Sequence, residues 1–223
     1  MTTDPFAVVS LGCHCFPRVC SAMLGLKKRR SEGEPSGPFD FGLFPMPMVR
    51  HMIESDFEGM TDPANLLVRP DVFGPPVFCD KRYPIGSYAH EMPPVTDIDF
   101  VGDNFRLFIE RYNRRINNFR TVMQTKAQVL LFMCATNLVP PWYNPISYAD
   151  FEAIYTTLQK RYPNTALRLV VIIERIQFKI PDSWDGRIYV INIPMIGPYT
   201  LYIPYIQFVL AWRNVFPTVI KSF

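Results

Sequence analysis

Three observations predict an α/β fold of three layers, a mostly parallel central sheet flanked by helices and joined by long Pro/Gly-rich loops. The first is a set of continuous apolar runs at 127–134, 167–173 and 188–193. They lack the alternation of a half-wetted strand and so suit strands covered on both faces, as in parallel sheets. The second is the helix-period stretch between the first two runs, which makes strand, helix, strand. The third is the short apolar run 7–11, stopped by Gly12 and followed at 16–26 by a helical pattern, which adds a strand, a tight turn and a helix.

In the first helix, Val19, Met23 and Leu26 form the expected packing face. Glycines and prolines punctuate 31–47 too densely for a regular element, so a loop is expected there, then a short helix near 47–53. Prolines and glycines also recur through 63–94 with aromatics between them, which reads as an irregular excursion folded over one edge of the core. Phe105, Phe108, Tyr112, Ile116, Phe119 and Met123 fall at helical spacing, with Arg106, Glu110, Asn113 and Asn117 on the other side. Ser147 and Asp150 have capping-box spacing at the start of a helix over 147–162, whose buried stripe is Phe151, Ile154, Tyr155 and Leu158. A closing helix is expected over 203–216, entered at Pro204 and left at Pro217. One domain over 1–223 is the reading that follows.

Composition narrows the function classes. A chain with 48% apolar and 19% charged residues can bury a core, and 22 prolines in 223 residues supply the loops. A net charge of +3, evenly spread, is too small for nucleic-acid binding by counterion release, and the basic run Lys27-Lys28-Arg29-Arg30 reads as a solvated helix end. The five cysteines, at 13, 15, 20, 79 and 134, are an odd number in a chain that folds without staples, so reduced thiols and a cytoplasmic location are expected. The first five residues lack the basic start of an export signal, and the apolar stretch 199–212, broken by Pro204, is too short for a membrane span. There is no Gly-x-Gly-x-x-Gly and no Walker loop, so no cofactor is expected. The partner class is a small-molecule, peptide or glycan-linked substrate.

The chemistry concentrates at Ser10-Leu11-Gly12-Cys13-His14-Cys15. This segment puts Cys15 near a helix N-terminus, where backbone N–H groups and the helix dipole favour a thiolate and could hold an oxyanion. Cys15 is therefore a candidate nucleophile, the alternative being a small core filler. Ser10, Gly12 and His14 are candidate substrate-binding positions around it. His14 is a poor base for its neighbour because adjacent side chains diverge, and His51 reads as a surface or packing histidine. His90 sits in a loop, where catalytic groups concentrate. Asp40, between Phe39 and Phe41, is either a site acid or a turn stabiliser. Arg114 and Arg115 are candidate holders of a carboxylate or phosphate, although only one of two adjacent helix residues can point inward. Cys13, His14, Cys15 and Cys20 lack zinc-site spacing, and Asp97-Ile98-Asp99 has no supporting loop.

Several of these pieces resemble one family. They are Ser10-Leu11-Gly12 with a cysteine three residues past the glycine, Gly37-Pro38-Phe39-Asp40-Phe41, Tyr88-Ala89-His90-Glu91, and 108–119 with its Arg114-Arg115 pair. Together they are similar to a bacterial family of unknown function described as papain-like cysteine peptidases. The resemblance implies Cys15 as nucleophile, His90 as general base and Asp40 as an orienting or structural carboxylate, with a papain-like α+β fold as the alternative architecture. The activity implied is that of a thiol-dependent hydrolase or acyl transferase. The competing reading is a non-peptidase α/β module that binds a polar ligand, with polysaccharide or sugar metabolism as its setting.

Overall fold

The structure is a computed structural model that describes residues 6–12, 15–28, 32–33, 35–69, 77–88, 103–135, 146–174 and 180–193, with the isolated positions 210, 213, 214, 217 and 221. Its centre is a five-stranded sheet. Strand β1 (Phe6–Ser10) pairs in parallel with β5 (Gln128–Ala135), β5 with β6 (Ala166–Glu174), and β6 with β8 (Ile188–Ile193). The short β7 (Ser183–Trp184) closes the order β1-β5-β6-β8-β7 as an antiparallel edge. The continuous apolar runs are continuous because both faces of these strands are covered. Val129, Leu131 and Met133 of β5 enter one core while Leu130, Phe132 and Cys134 enter the other. This is the α/β architecture. The parallel sheet overturns the papain-like α+β alternative, in which a cysteine helix packs on an antiparallel barrel.

One face of the sheet carries helix α1 (Phe16–Met23), through Phe16 and Cys20 against Val8, Leu130 and Phe132. The other carries α2 (Met46–Glu54), α3 (Arg106–Thr125) and α4 (Tyr148–Arg161). The stripes of α3 and α4 are those of the sequence pattern: Phe108, Tyr112, Ile116, Phe119 and Met123 are buried on α3, and Phe151, Ile154, Tyr155 and Leu158 on α4. At the start of α4 the Ser147 N–H donates to Asp150 Oδ2 at 2.9 Å, which completes one arm of a capping box.

Helix α1 departs from expectation. Its buried residues are Phe16, Pro17, Arg18, Cys20 and Ser21, while Met23, placed on the packing face by the pattern, is 59% exposed. In a helix of eight residues two arcs are apolar enough to pack, and the sheet selects the one carrying Phe16 and Cys20. The excursion over 63–94 is also corrected in part. Residues Leu66–Arg69, Val77–Asp80 and Tyr83–Tyr88 form a second, antiparallel sheet, β2-β3-β4. Pro84 lies in β4, an edge strand of that sheet, the position in a sheet where a residue without an N–H is tolerated. The closing helix over 203–216 falls outside the described residues apart from isolated positions. Among the described residues no helix is long and apolar enough to cross a membrane.

Candidate active site

The carboxyl end of β1 is built tightly. The Leu11 N–H continues the pairing with β5 by donating to the Phe132 carbonyl at 2.9 Å, and Gly12 then turns the chain with φ +83°. A Cβ at Gly12 would stand 3.2–3.3 Å from Val49 Cγ2, Phe39 Cδ1 and Phe44 Cβ, so glycine is needed for both conformation and close approach. Ser10 shares the face of Val8, two residues back, which is the face α1 covers. Its hydroxyl is buried and has no hydrogen-bond partner among the described residues.

Cys15 is the N-cap residue of α1, half-buried, with no side-chain cap bond, and Pro17 follows in the first turn. The Cys15 carbonyl accepts from the Val19 N–H at 3.2 Å, so the helix starts at the thiol-bearing residue itself. First-turn N–H groups of a helix point out of its end and carry part of the positive dipole, which favours a thiolate or an oxyanion there. Cys20, one turn on, is different: burial, with a smaller contribution from neighbouring Cys15, pushes its thiol up to about 12. It is an inert core thiol.

Asp40 is buried, at 1% exposure, and is tied to α1. Its Oδ2 accepts from the Gly37 N–H at 2.9 Å and lies 3.6 Å from Arg18 Nε and 3.7 Å from Lys27 Nζ. Lys27, the first residue of the basic run, is therefore not solvated, since only 7% of its side chain is exposed. Arg18 also donates through Nη1 to the Lys28 carbonyl at 3.0 Å, which folds the tail of α1 back along the helix. The sequence reading places Lys27 on a solvated helix end and does not single out Arg18. Arg18 stands in an otherwise apolar helical segment, and that is the signal that could have found it.

Of the arginine pair, Arg115 is buried and Arg114 exposed, as adjacent helix positions require. The Arg115 guanidinium lies over two aromatic rings, 5.2 Å from the Phe41 ring centre and 4.8 Å from that of Tyr112. His51 is half-buried against Arg82 and Tyr83. His14, His90 and Asp97-Ile98-Asp99 lie outside the described residues. Among the described residues no group of three or more His, Cys, Asp or Glu side chains could hold a metal ion.

The loop behind Asp40 links the Gly12 turn to the second sheet. The Leu43 N–H donates to the Ser87 carbonyl at 2.7 Å and the Ser87 N–H returns to Leu43 at 2.8 Å. The Phe44 ring, whose Cβ packs on Gly12, lies 5.7 Å from the ring of Tyr88, the last residue of β4.

An α/β domain that seats a cysteine at a helix N-terminus, just past the carboxyl end of a parallel strand, belongs to the class of folds suited to thiol chemistry. The chain belongs to the family described as putative papain-like cysteine peptidase (DUF1796), whose profile matches residues 6–140. No curated protein and no solved structure matches the chain.

Proposed function

We propose that the protein is a thiol-dependent hydrolase or acyl transferase in which His90 deprotonates Cys15 and the thiolate attacks a substrate carbonyl. The first-turn amides of α1 hold the oxyanion, and Ser10 offers its hydroxyl to the substrate. His14 is carried as a substrate-binding candidate from the sequence alone, and Asp40 fixes α1 through Arg18 or orients the histidine. The observation that carries the reading is the coupling of β4 to the Gly12 turn through Leu43–Ser87 and Phe44–Tyr88. His90 follows Tyr88 by two residues, a reach of roughly 7 Å at full extension, so the chain that bears it leaves from a strand tied to the turn that bears Cys15. Membership of a cysteine-peptidase family supports the same reading.

The test is the pH dependence of iodoacetamide labelling at Cys15, located by peptide mass mapping, in the native protein and in His90→Ala. An activated pair labels fast well below a thiol's ordinary pKa of about 8.5 and slows at least tenfold without the histidine. Slow labelling that His90→Ala leaves unchanged makes Cys15 structural and removes the proposal.

A further inference from the structure

We propose that the groove between α3 and the turn after α2 binds an extended peptide segment and reads it through its main chain. The groove has a volume of about 680 Å³, within the range of about 300–1,000 Å³ that ligand sites occupy. Glu58 and Thr61 stand on one wall, and Asn113, Asn117 and Arg120 on the other, where they share one face of α3.

The spacing of the two asparagines matches an extended chain. Asn113 and Asn117 are four residues apart on one helix, a rise of about 6 Å. Alternate residues of an extended chain repeat every 6.6 Å or about that, and the N–H and C=O of each point to the same side. A carboxamide carries both donors and an acceptor, so it can pair with the N–H and C=O of one residue as a neighbouring strand would. Two carboxamides at this spacing engage two alternate residues of a single peptide.

The groove is shaped in advance. Thr61 Oγ1 donates to Asn113 Oδ1 at 3.0 Å, which fixes that carboxamide and leaves its Nδ2 hydrogens and a second oxygen lone pair for a ligand. Asn117 is exposed, and its carboxamide has no hydrogen-bond partner among the described residues. The opposite wall holds two successive non-glycine residues in the left-handed region, Asp56 at φ +53° and Phe57 at φ +67°. Arg120 and Arg161 hold this turn, 2.8 Å and 3.2 Å from the Asp56 carboxylate, and the Phe57 ring packs on Phe39 and Phe119.

Ligand class follows from charge and polarity. Asp56 is paired with two arginines, and the charges that remain to a ligand, Glu58 and Arg120, are of opposite sign, so neither a polyanion nor a polycation is favoured. Phe57 and Ile116 also line the groove, but each is 4% exposed, so there is no apolar platform to select a side chain. A neutral main chain of alternating donors and acceptors is what these groups complement. Neither Ser10 nor Cys15 is among the described lining residues, and the site stands whether or not that thiol is a nucleophile.

NMR of the side-chain amides in the full, nitrogen-15-labelled chain tests the proposal, with the neutral peptide acetyl-Ala-Ser-Ala-Ser-Ala-amide as titrant. The Asn113 and Asn117 carboxamide signals should shift saturably, with a Kd of about 1 mM or below. Asn113→Ala and Asn117→Ala, both at exposed positions, should each raise that Kd about fivefold or more and leave the urea midpoint in place. Gln124→Ala, an exposed change further along α3, should leave both unchanged. N-methylation of the three alanines and N-methylation of the two serines should differ, one abolishing binding and the other preserving it, because only alternate residues face the asparagines. The proposal is overturned by no saturable shift up to about 20 mM peptide, by an equal effect of the two methylated sets, or by binding that survives the Asn113→Ala/Asn117→Ala double variant. Methyl glucoside giving the same saturable shifts at lower concentration overturns it as well, because the groove then takes a polyol.

Discussion

Replacing Asp40 by alanine removes a carboxylate on which three stretches of chain converge: the 37–40 loop, helix α1 and the segment after it. Its ion-pair distances, 3.6 Å to Arg18 and 3.7 Å to Lys27, are long, so the direct attraction to each cation is modest. The larger cost lies in what is left behind, two cations with 5% and 7% of their side chains exposed. Removing one partner of a buried pair costs about 3–5 kcal/mol. The lost bond to the Gly37 N–H, worth about 1.5–3 kcal/mol for a charged acceptor, overlaps with this because the same oxygen serves all three partners. About 4 kcal/mol is therefore expected, a large share of a total stability of about 5–15 kcal/mol. With a urea slope of about 2–3 kcal/mol per molar, the unfolding midpoint falls by about 1–2 M. Asp40→Asn keeps an acceptor for Gly37 and should lose about half as much. Tryptophan fluorescence and circular dichroism across a urea series measure both. Adding Lys27→Met to Asp40→Ala should recover part of the loss, because it removes one of the two buried cations that faced Asp40. A midpoint shift below about 0.3 M for Asp40→Ala would refute the clamp, and no recovery in the double variant would move the cost from the cations to the Gly37 bond.

Two further outcomes follow from local geometry. Gly12→Ala combines a left-handed backbone at φ +83° with a Cβ 3.2–3.3 Å from three core atoms, so it should cost about 2–5 kcal/mol from strain and overpacking together. Urea midpoints check this, and a variant within about 0.5 kcal/mol of the parent would mean that the turn relaxes freely. The Cys20 thiol is raised from 9.0 to about 12 by burial, so the unfolded chain releases this proton first as pH rises. Its contribution is fully present below the unfolded value near 9.0 and is lost as pH climbs toward about 12, at about 1.4 kcal/mol per pH unit. Between those values Cys20→Ala should lose stability with pH less steeply by that amount, the remaining slope coming from groups such as Tyr88, whose phenol burial also raises. Equal slopes in the two proteins would refute the assignment.

The parts of this fold that are legible in the sequence are those decided by neighbours a few residues away. The period of α3 and α4, the Ser147–Asp150 start of α4 and the unbroken apolar runs of β5, β6 and β8 are local patterns, and each implies how many of its faces are covered. The turn at Gly12 and the placing of Cys15 at a helix start belong to the same class, since a strand, a glycine and a helical pattern stand in direct succession.

Tertiary structure decided the rest. Which arc of α1 packs depended on the sheet beneath it, and burying Arg18 and Lys27 required Asp40, which only the folded loop brings to them. The strands of the second sheet are four to six residues long, too short to show a period, and β4 carries a proline and a glycine, so pairing with a neighbour rather than local pattern decides them. The shared face of Arg111, Arg114, Arg115 and Asn118 is written in their spacing. What packs against that face is not, because Ser36, far away in sequence, meets it through a hydrogen bond that Asn118 Nδ2 donates to its carbonyl. A spacing rule places side chains on a common face, and only packing across the chain determines whether that face meets solvent, a core or a ligand.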